Sequence, residues 1–294
     1  MEFSKPPTNF IDVGHSRIAH RALGCGPDVL FIHGWPLNGA TWRNVVPRLA
    51  DDFTCHVIDL PGTGFTETGA DAPIDFMSHV ITVHHVVERL GLRRYAIVGH
   101  DSGGFVARHV AAGDDRVTGV VLSDTEIPGH HPFLIRMFVV AGRVWPELLM
   151  TIMRSPRLRR TSLGFGTCFT DPNFVNGDFF ELFVRPMLEV PHITAGQMAL
   201  LRALDFRLTD EMEAVHRKMR MPVRLIWGTD DPFFPIAKAR HMLPSFGGPV
   251  DLHEITGAKL YSHEDHPDEF VAAARPFLRA ALPNVVGVDA AMRS

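Results

Sequence analysis

Along most of the chain, short continuous apolar runs alternate with amphipathic stretches. The runs are DVLFIHG at 28–34, TCHVIDLPG at 54–62, YAIVGHD at 95–101, VTGVVLSD at 117–124 and MPVRLIWG at 221–228. A run that is apolar at every position, rather than at alternate ones, suits a parallel strand covered on both faces. Between the runs, 39–50, 75–91 and 103–112 carry apolar residues at helical spacing. The order strand, helix, strand, helix predicts an α/β fold with a mostly parallel, doubly wound sheet.

The alternation stops between about Pro128 and Arg220. PFLIRMFVVAGRVWPELLMTIM, an arginine-rich turn and FFELFVRPMLEV follow there, all helical in pattern and without a clear strand. This predicts a helical lid over one edge of the sheet; the alternative is a plain helical extension that packs its apolar faces inward. The domains expected are a core at 1–127, a lid at 128–220, the second part of the core at 221–282 and a tail at 283–294.

With 294 residues and 46% hydrophobic content, the chain can bury a large core. Its formal charge of −4, with acids and bases mixed, offers no basic stripe for phosphates, so nucleic acid is not expected as a partner. No leader pattern opens MEFSKPPTNF, and no apolar run approaches the roughly 18 residues of a membrane span, which points to a soluble, cytoplasmic protein. Cys25, Cys55 and Cys168 match neither a disulfide framework nor a zinc site and read as reduced thiols. No motif calls for a metal or cofactor, and a homodimer is left open.

The chemistry-bearing stretch is AIVGHDSGGF at 96–105. Gly99-His100-Asp101-Ser102-Gly103 follows the pattern small, any, nucleophile, any, small, in which a sharp strand-to-helix turn tolerates no Cβ at its outer positions. Asp101 sits at the centre. Ser102 in that role would need small residues at 100 and 104, and His100 does not qualify. The other reading is an ordinary glycine-rich turn with a capping Asp.

Here the chain resembles the α/β-hydrolase superfamily, and in it the aspartate-nucleophile branch of epoxide hydrolases and haloalkane and haloacetate dehalogenases. GHDSGG carries the resemblance together with HGWP at 33–36, DLPGTGFT at 59–66 and WGTDDPFFP at 227–235, over most of residues 10–282. The resemblance implies an α/β-hydrolase fold with the lid inserted after the sixth strand. It implies that Asp101 attacks an sp³ carbon to give an alkyl ester, which water then cleaves. The backbone N–H groups of Trp35 and Ser102 would form the oxyanion hole, and Trp35 and His100 would border the substrate. Asp231 in WGTDDP would be the acid that orients a histidine, with Asp124 and Glu126 as alternatives, though an Asp before Pro232 also suits a plain turn.

One position breaks the pattern. Aligned on Glu264, Asp265, Pro267 and Phe270 of GAKLYSHEDHPDEF, the family's histidine falls on Leu260. Ester formation needs no base, whereas ester hydrolysis does. His263, three residues on, is a candidate substitute base; otherwise it is a polar residue at a helix start.

The resemblance also bears on substrate. Halide-binding Asn and Trp are absent from positions 35 and 102, the carboxylate-gripping arginines are absent after Asp101, and no lid tyrosine is present. HGWP looks most like the epoxide hydrolases. Trp145 is a candidate halide donor or a packing residue, and the Phe, Leu, Met and Val of the lid suggest a small hydrophobic substrate. The readings are a hydrolase acting on an epoxide or carbon–halogen bond with an impaired base, a non-hydrolytic lyase, isomerase or cyclase on the same scaffold, or an inactive ligand-binding homologue.

Overall fold

A computed structural model describes residues 2–283; the expected tail at 283–294 lies, apart from Pro283, outside the described residues. Its centre is one twisted sheet whose strands are β1 (Asn9–Asp12), β2 (Ser16–Leu23), β3 (Asp28–Ile32), β4 (Thr54–Ile58), β5 (Glu67–Thr68), β6 (Tyr95–His100), β7 (Val117–Ser123), β8 (Val223–Gly228) and β9 (Val250–Ile255). They lie in the order β1-β2-β4-β3-β6-β7-β8-β9, with β5 paired to β2. From β4 to β9 every pairing is parallel, and β2 is antiparallel to β1, β4 and β5.

All five apolar runs become strands. β1, β2, β5 and β9 are not among those runs, and for β9 burial explains why. Every residue of β6 is buried, whereas exposed and half-buried positions alternate along β9 at the sheet's margin. An edge strand has one neighbour and carries polar residues, so it lacks a continuous apolar signature.

The longer helices are α1 (Phe76–Leu90), α2 (Ser102–Gly113), α3 (Phe133–Val144), α4 (Pro146–Arg154), α5 (Pro191–Ala203) and α6 (Pro267–Ala281). Two glycines show that α2 and α6 cover opposite faces of the sheet. Ala96 and Gly119 are register partners on parallel strands and so point to the same face; a Cβ on Gly119 would lie 2.5 Å from Cβ of Ala281 in α6. Gly99, three residues from Ala96, points to the other face, where its Cβ would meet Ala107 of α2 at 2.8 Å. The sheet is therefore doubly wound.

Between β7 and β8, residues 133–218 hold helices and turns without a described strand. This helical insert is fastened to the core over the strand ends. The N–H of the Trp35 indole donates to the carbonyl of Gln197 in α5 at 3.1 Å, and the Gln197 amide donates back to the carbonyl of Pro36 at 2.9 Å. One residue away, a Cβ on Gly196 would stand 2.4 Å from Cα of Gly62, so insert and core backbones touch where neither has a side chain.

Candidate active site

β6 ends at His100 and α2 begins at Ser102, which leaves one residue, Asp101, to make the turn. Asp101 has φ 48° and ψ −133°, a strained conformation for a residue with a side chain. The surroundings hold it there. Its N–H donates to the carbonyl of Ser123 at 3.2 Å, and its own carbonyl accepts from Gly104 N–H at 2.7 Å and from the Thr125 hydroxyl at 2.8 Å. The flanking glycines are required by contact: a Cβ on Gly103 would lie 2.4 Å from the carbonyl oxygen of His33, and one on Gly99 would lie 2.7 Å from that of Gly103.

This turn aims the Asp101 carboxyl at two backbone donors. Oδ2 accepts from Trp35 N–H at 3.0 Å, and the Ser102 N–H also hydrogen-bonds to the carboxyl. Ser102 Oγ is 3.0 Å from the same Trp35 nitrogen, and no imidazole hydrogen-bonds to it among the described residues. Trp35 and Ser102 thus stand where the sequence places them, as N–H donors around the turn.

Above the carboxyl lies a cavity of about 90 Å³, floored by the core and roofed by the insert. Its wall is mostly aromatic and aliphatic, with Trp35, Phe105, Ile135, Phe138, Phe165 and Leu201 prominent. Among these sit a few polar groups: Asp101, Glu126, His130, Cys168 and Tyr261. Burial raises the Asp101 pKa to about 8, and the charge of Glu126 adds to the rise against the opposing donors.

Leu260 also lines this cavity and is 6% exposed. Asp231 is buried, and its Oδ1 accepts from the N–H groups of Phe233 and Phe234 at 2.7 and 3.1 Å. Its Oδ2 is buried with no partner. Burial, then the nearby Asp124 and Asp101 charges, hold the Asp231 pKa well above the usual carboxylate range.

Three expectations need correction. His263 does not reach the cavity: it is fully buried within the short helix Ser262–Asp265, with Nε2 2.6 Å from Thr41 Oγ1 and its ring against Trp42. Burial there pushes its pKa well below the usual value. His100 does not border the cavity either, because the last residue of β6 points beneath the turn, where its Nε2 donates to the carbonyl of Leu260 at 2.7 Å. Burial lowers its pKa to about 3. Trp145, at the joint of α3 and α4, is 59% exposed and faces solvent. Among the described residues the one imidazole that does line the cavity, His130, has both nitrogens engaged. Lys238 Nζ is 2.8 Å from Nδ1, and Nε2 donates to the carbonyl of Phe233 at 2.9 Å.

The sequence profile of the alpha/beta hydrolase fold family matches residues 27–266. The chain belongs to that family. Among curated relatives, a haloalkane dehalogenase of Mycobacterium bovis is 28% identical over 277 residues, covering 90% of this chain and 93% of its own. A pimeloyl-[acyl-carrier protein] methyl ester esterase of Chromobacterium violaceum is 27% identical over 259 residues, covering 85% and 94%. Of solved structures, the epoxide hydrolase CorEH superposes with a TM-score of 0.75 at 22% identity, covering 92% of this chain and 98% of that one.

Within this alpha/beta hydrolase fold, two cavity residues escape the sequence reading. Tyr261, which no motif singles out, lines the cavity beside Leu260, where burial first of all, then the nearby Cys168 and Asp101, raises its hydroxyl pKa well above the usual value. Cys168 reaches the wall from the insert, and nothing in the sequence marks it. Asp124 and Glu126 are visible as carboxyls after β7, but their separation is not. Glu126 faces the cavity, whereas Asp124, at φ 40°, turns inward to accept from Gly228 N–H at 2.7 Å and from the hydroxyls of Ser262 and Ser123 at 2.5 and 2.8 Å. Burial lifts the Asp124 pKa to about 7 despite those bonds. Among the described residues no group of His, Cys, Asp and Glu side chains has the arrangement of a metal site, and no helix is long and apolar enough to cross a membrane.

Proposed function

We propose that the protein captures a small apolar electrophile, an epoxide or an alkyl halide, as an ester on Asp101 and completes hydrolysis poorly. The observation that carries this reading is the pairing of the Asp101 carboxyl with the Trp35 and Ser102 N–H donors, Trp35 to Oδ2, at the wall of an apolar cavity. The same two donors would steady the oxyanion if water later added to the ester carbonyl.

The polar groups favour an epoxide. Trp145, the candidate halide donor, faces solvent, and the indole N–H of Trp35 in the cavity wall is committed to Gln197, so neither indole is free to hold a halide in the cavity. Tyr261 supplies what an epoxide needs. A carboxylate oxygen of Asp101 forms a bond to carbon, the carbon–oxygen bond opens, and the tyrosine hydroxyl gives its proton to the alkoxide, to be re-protonated from solvent. Cleavage of the ester then lacks its base, because Leu260 takes the histidine position and His130 is engaged.

A second reading rests on protonation. An Asp101 pKa of about 8 leaves much of the carboxyl protonated at neutral pH, which suits a proton donor in a lyase, isomerase or cyclase. Incubation with 1,2-epoxybutane and 1-bromobutane, followed by intact-protein mass spectrometry, separates the two. The nucleophile reading expects one added alkyl group in the wild type and none in Asp101→Asn; an unmodified wild type with a rearranged or dehydrated product would overturn it.

A further inference from the structure

Helix α3 is apolar on both sides. Ile135 and Phe138 face the cavity, while Phe133, Met137, Val140 and Val144 recur at i, i+4, i+7 and i+11 on the opposite side and are all exposed, Phe133 by 72%. The exposed row continues through Trp145, the next residue, to Leu148 in the first turn of α4. Isolated exposed apolar residues are ordinary, but a helical row of this length on the outer surface marks a contact face.

Charge identifies the partner. Residues 133–163 hold six arginines and one acid, Glu147, in a chain whose net charge is −4. Arg159 is buried against Phe180, and Arg143 donates to the carbonyls of Arg202 and Leu204. The other four, Arg136, Arg154, Arg157 and Arg160, are exposed and make no ion pair among the described residues. A second copy docked about a two-fold axis would bring these arginines toward their own kind. An anionic lipid surface instead offers headgroups to the guanidinium groups and an acyl boundary to the aromatic and aliphatic row.

We propose that the outer face of α3 and the start of α4 docks on an anionic lipid surface. The same helix roofs the cavity with its inner face, so docking sets the cavity's roof at the phase in which small apolar molecules concentrate. The proposal concerns this surface alone and holds whichever chemistry Asp101 performs.

Trp145 provides the readout, since Trp42 and Trp227 are fully buried and Trp35 is largely so. With large unilamellar vesicles of 30% phosphatidylglycerol in phosphatidylcholine, at low ionic strength, the protein should co-sediment and its tryptophan emission should shift to the blue. Vesicles of phosphatidylcholine alone should bind at least tenfold less. Met137→Asp with Val140→Asp, and separately Arg154→Glu with Arg157→Glu, should each lower partitioning at least tenfold while thermal unfolding, measured on the same samples, stays cooperative. Trp145→Phe should abolish the shift but keep most of the binding. Absence of binding to the anionic vesicles, binding that both double variants retain, or a micromolar dimer that Met137→Asp with Val140→Asp dissociates would overturn the proposal; the last result would assign the face to a second copy.

Discussion

The imidazole of His100 donates from Nε2 to the carbonyl oxygen of Leu260, 2.7 Å away. The residue before the sharp turn therefore holds the backbone of the segment that passes beside the cavity. Asp231 is buried with an unpaired Oδ2. In the proposed reading, the side chain at 260 is where this site departs from the family's pattern.

Leu260→His should accordingly restore the second half of the reaction. An imidazole at 260 would find Asp231 Oδ2 ready to accept its Nδ1 proton, and the positioned base should speed loss of the Asp101 ester by about 10²-fold or more. Decay of the alkylated protein, followed by mass spectrometry, measures this. An adduct that decays no faster than in the wild type would show that the gap at 260 is not what limits turnover.

Tyr261→Phe isolates the proton donor. Alkylation by 1,2-epoxybutane should slow by about 10²-fold, since an alkoxide leaves badly unless protonated. Bromide needs no proton to leave, so alkylation by 1-bromobutane should change little. Equal losses with both reagents would point to a packing role for the ring.

The buried carboxyls should make the protein less stable in alkali. Asp101 and Asp124 have folded-state pKa values raised to about 8 and about 7, mainly by burial, from an ordinary value of 3.8. Each group keeps its proton longer folded than unfolded. Its contribution is therefore complete below the unfolded value and is lost as pH rises through the folded one. Between pH 6 and pH 9 the melting temperature should fall by roughly 5 °C or more. Asp101→Asn should flatten the part of the decline that runs up to about pH 8. A melting temperature that holds or climbs over this interval would contradict the assignment.

Gly196→Ala tests the fastening of the insert. The added methyl would meet Cα of Gly62 at 2.4 Å, backbone against backbone, which leaves no flexible atom to yield. A loss of about 1–3 kcal/mol is expected in urea unfolding, together with faster proteolysis within residues 133–218. Stability unchanged from the wild type would mean the two backbones separate freely.

Much of this architecture is legible in the chain. Strands covered on both faces write continuous apolar runs, and the glycine-flanked turn names its central residue, because sterics there admit few alternatives. Edge strands such as β9 are missed, since one solvated side dilutes the signal. The site is read less completely. The glycine pattern locates Asp101 and the family resemblance points to Leu260 and Asp231, but neither gives side-chain direction. His263 lies three residues past Leu260, yet the turn of the short helix sends it toward Thr41, and His100 goes beneath the sheet's end. Tyr261, one residue from Leu260, is carried into the cavity, and Cys168 arrives from the insert across nearly seventy residues of sequence from the turn at Asp101. Those placements are set by tertiary packing, which no local pattern encodes.

The most direct test of the account is the fate of the adduct on Asp101 once excess 1,2-epoxybutane is removed. Peptide mapping should place a single hydroxyalkyl group on Asp101, persisting for hours in the wild type and lost rapidly in Leu260→His. Steady multiple turnover by the wild type, or an adduct on another residue, would contradict it.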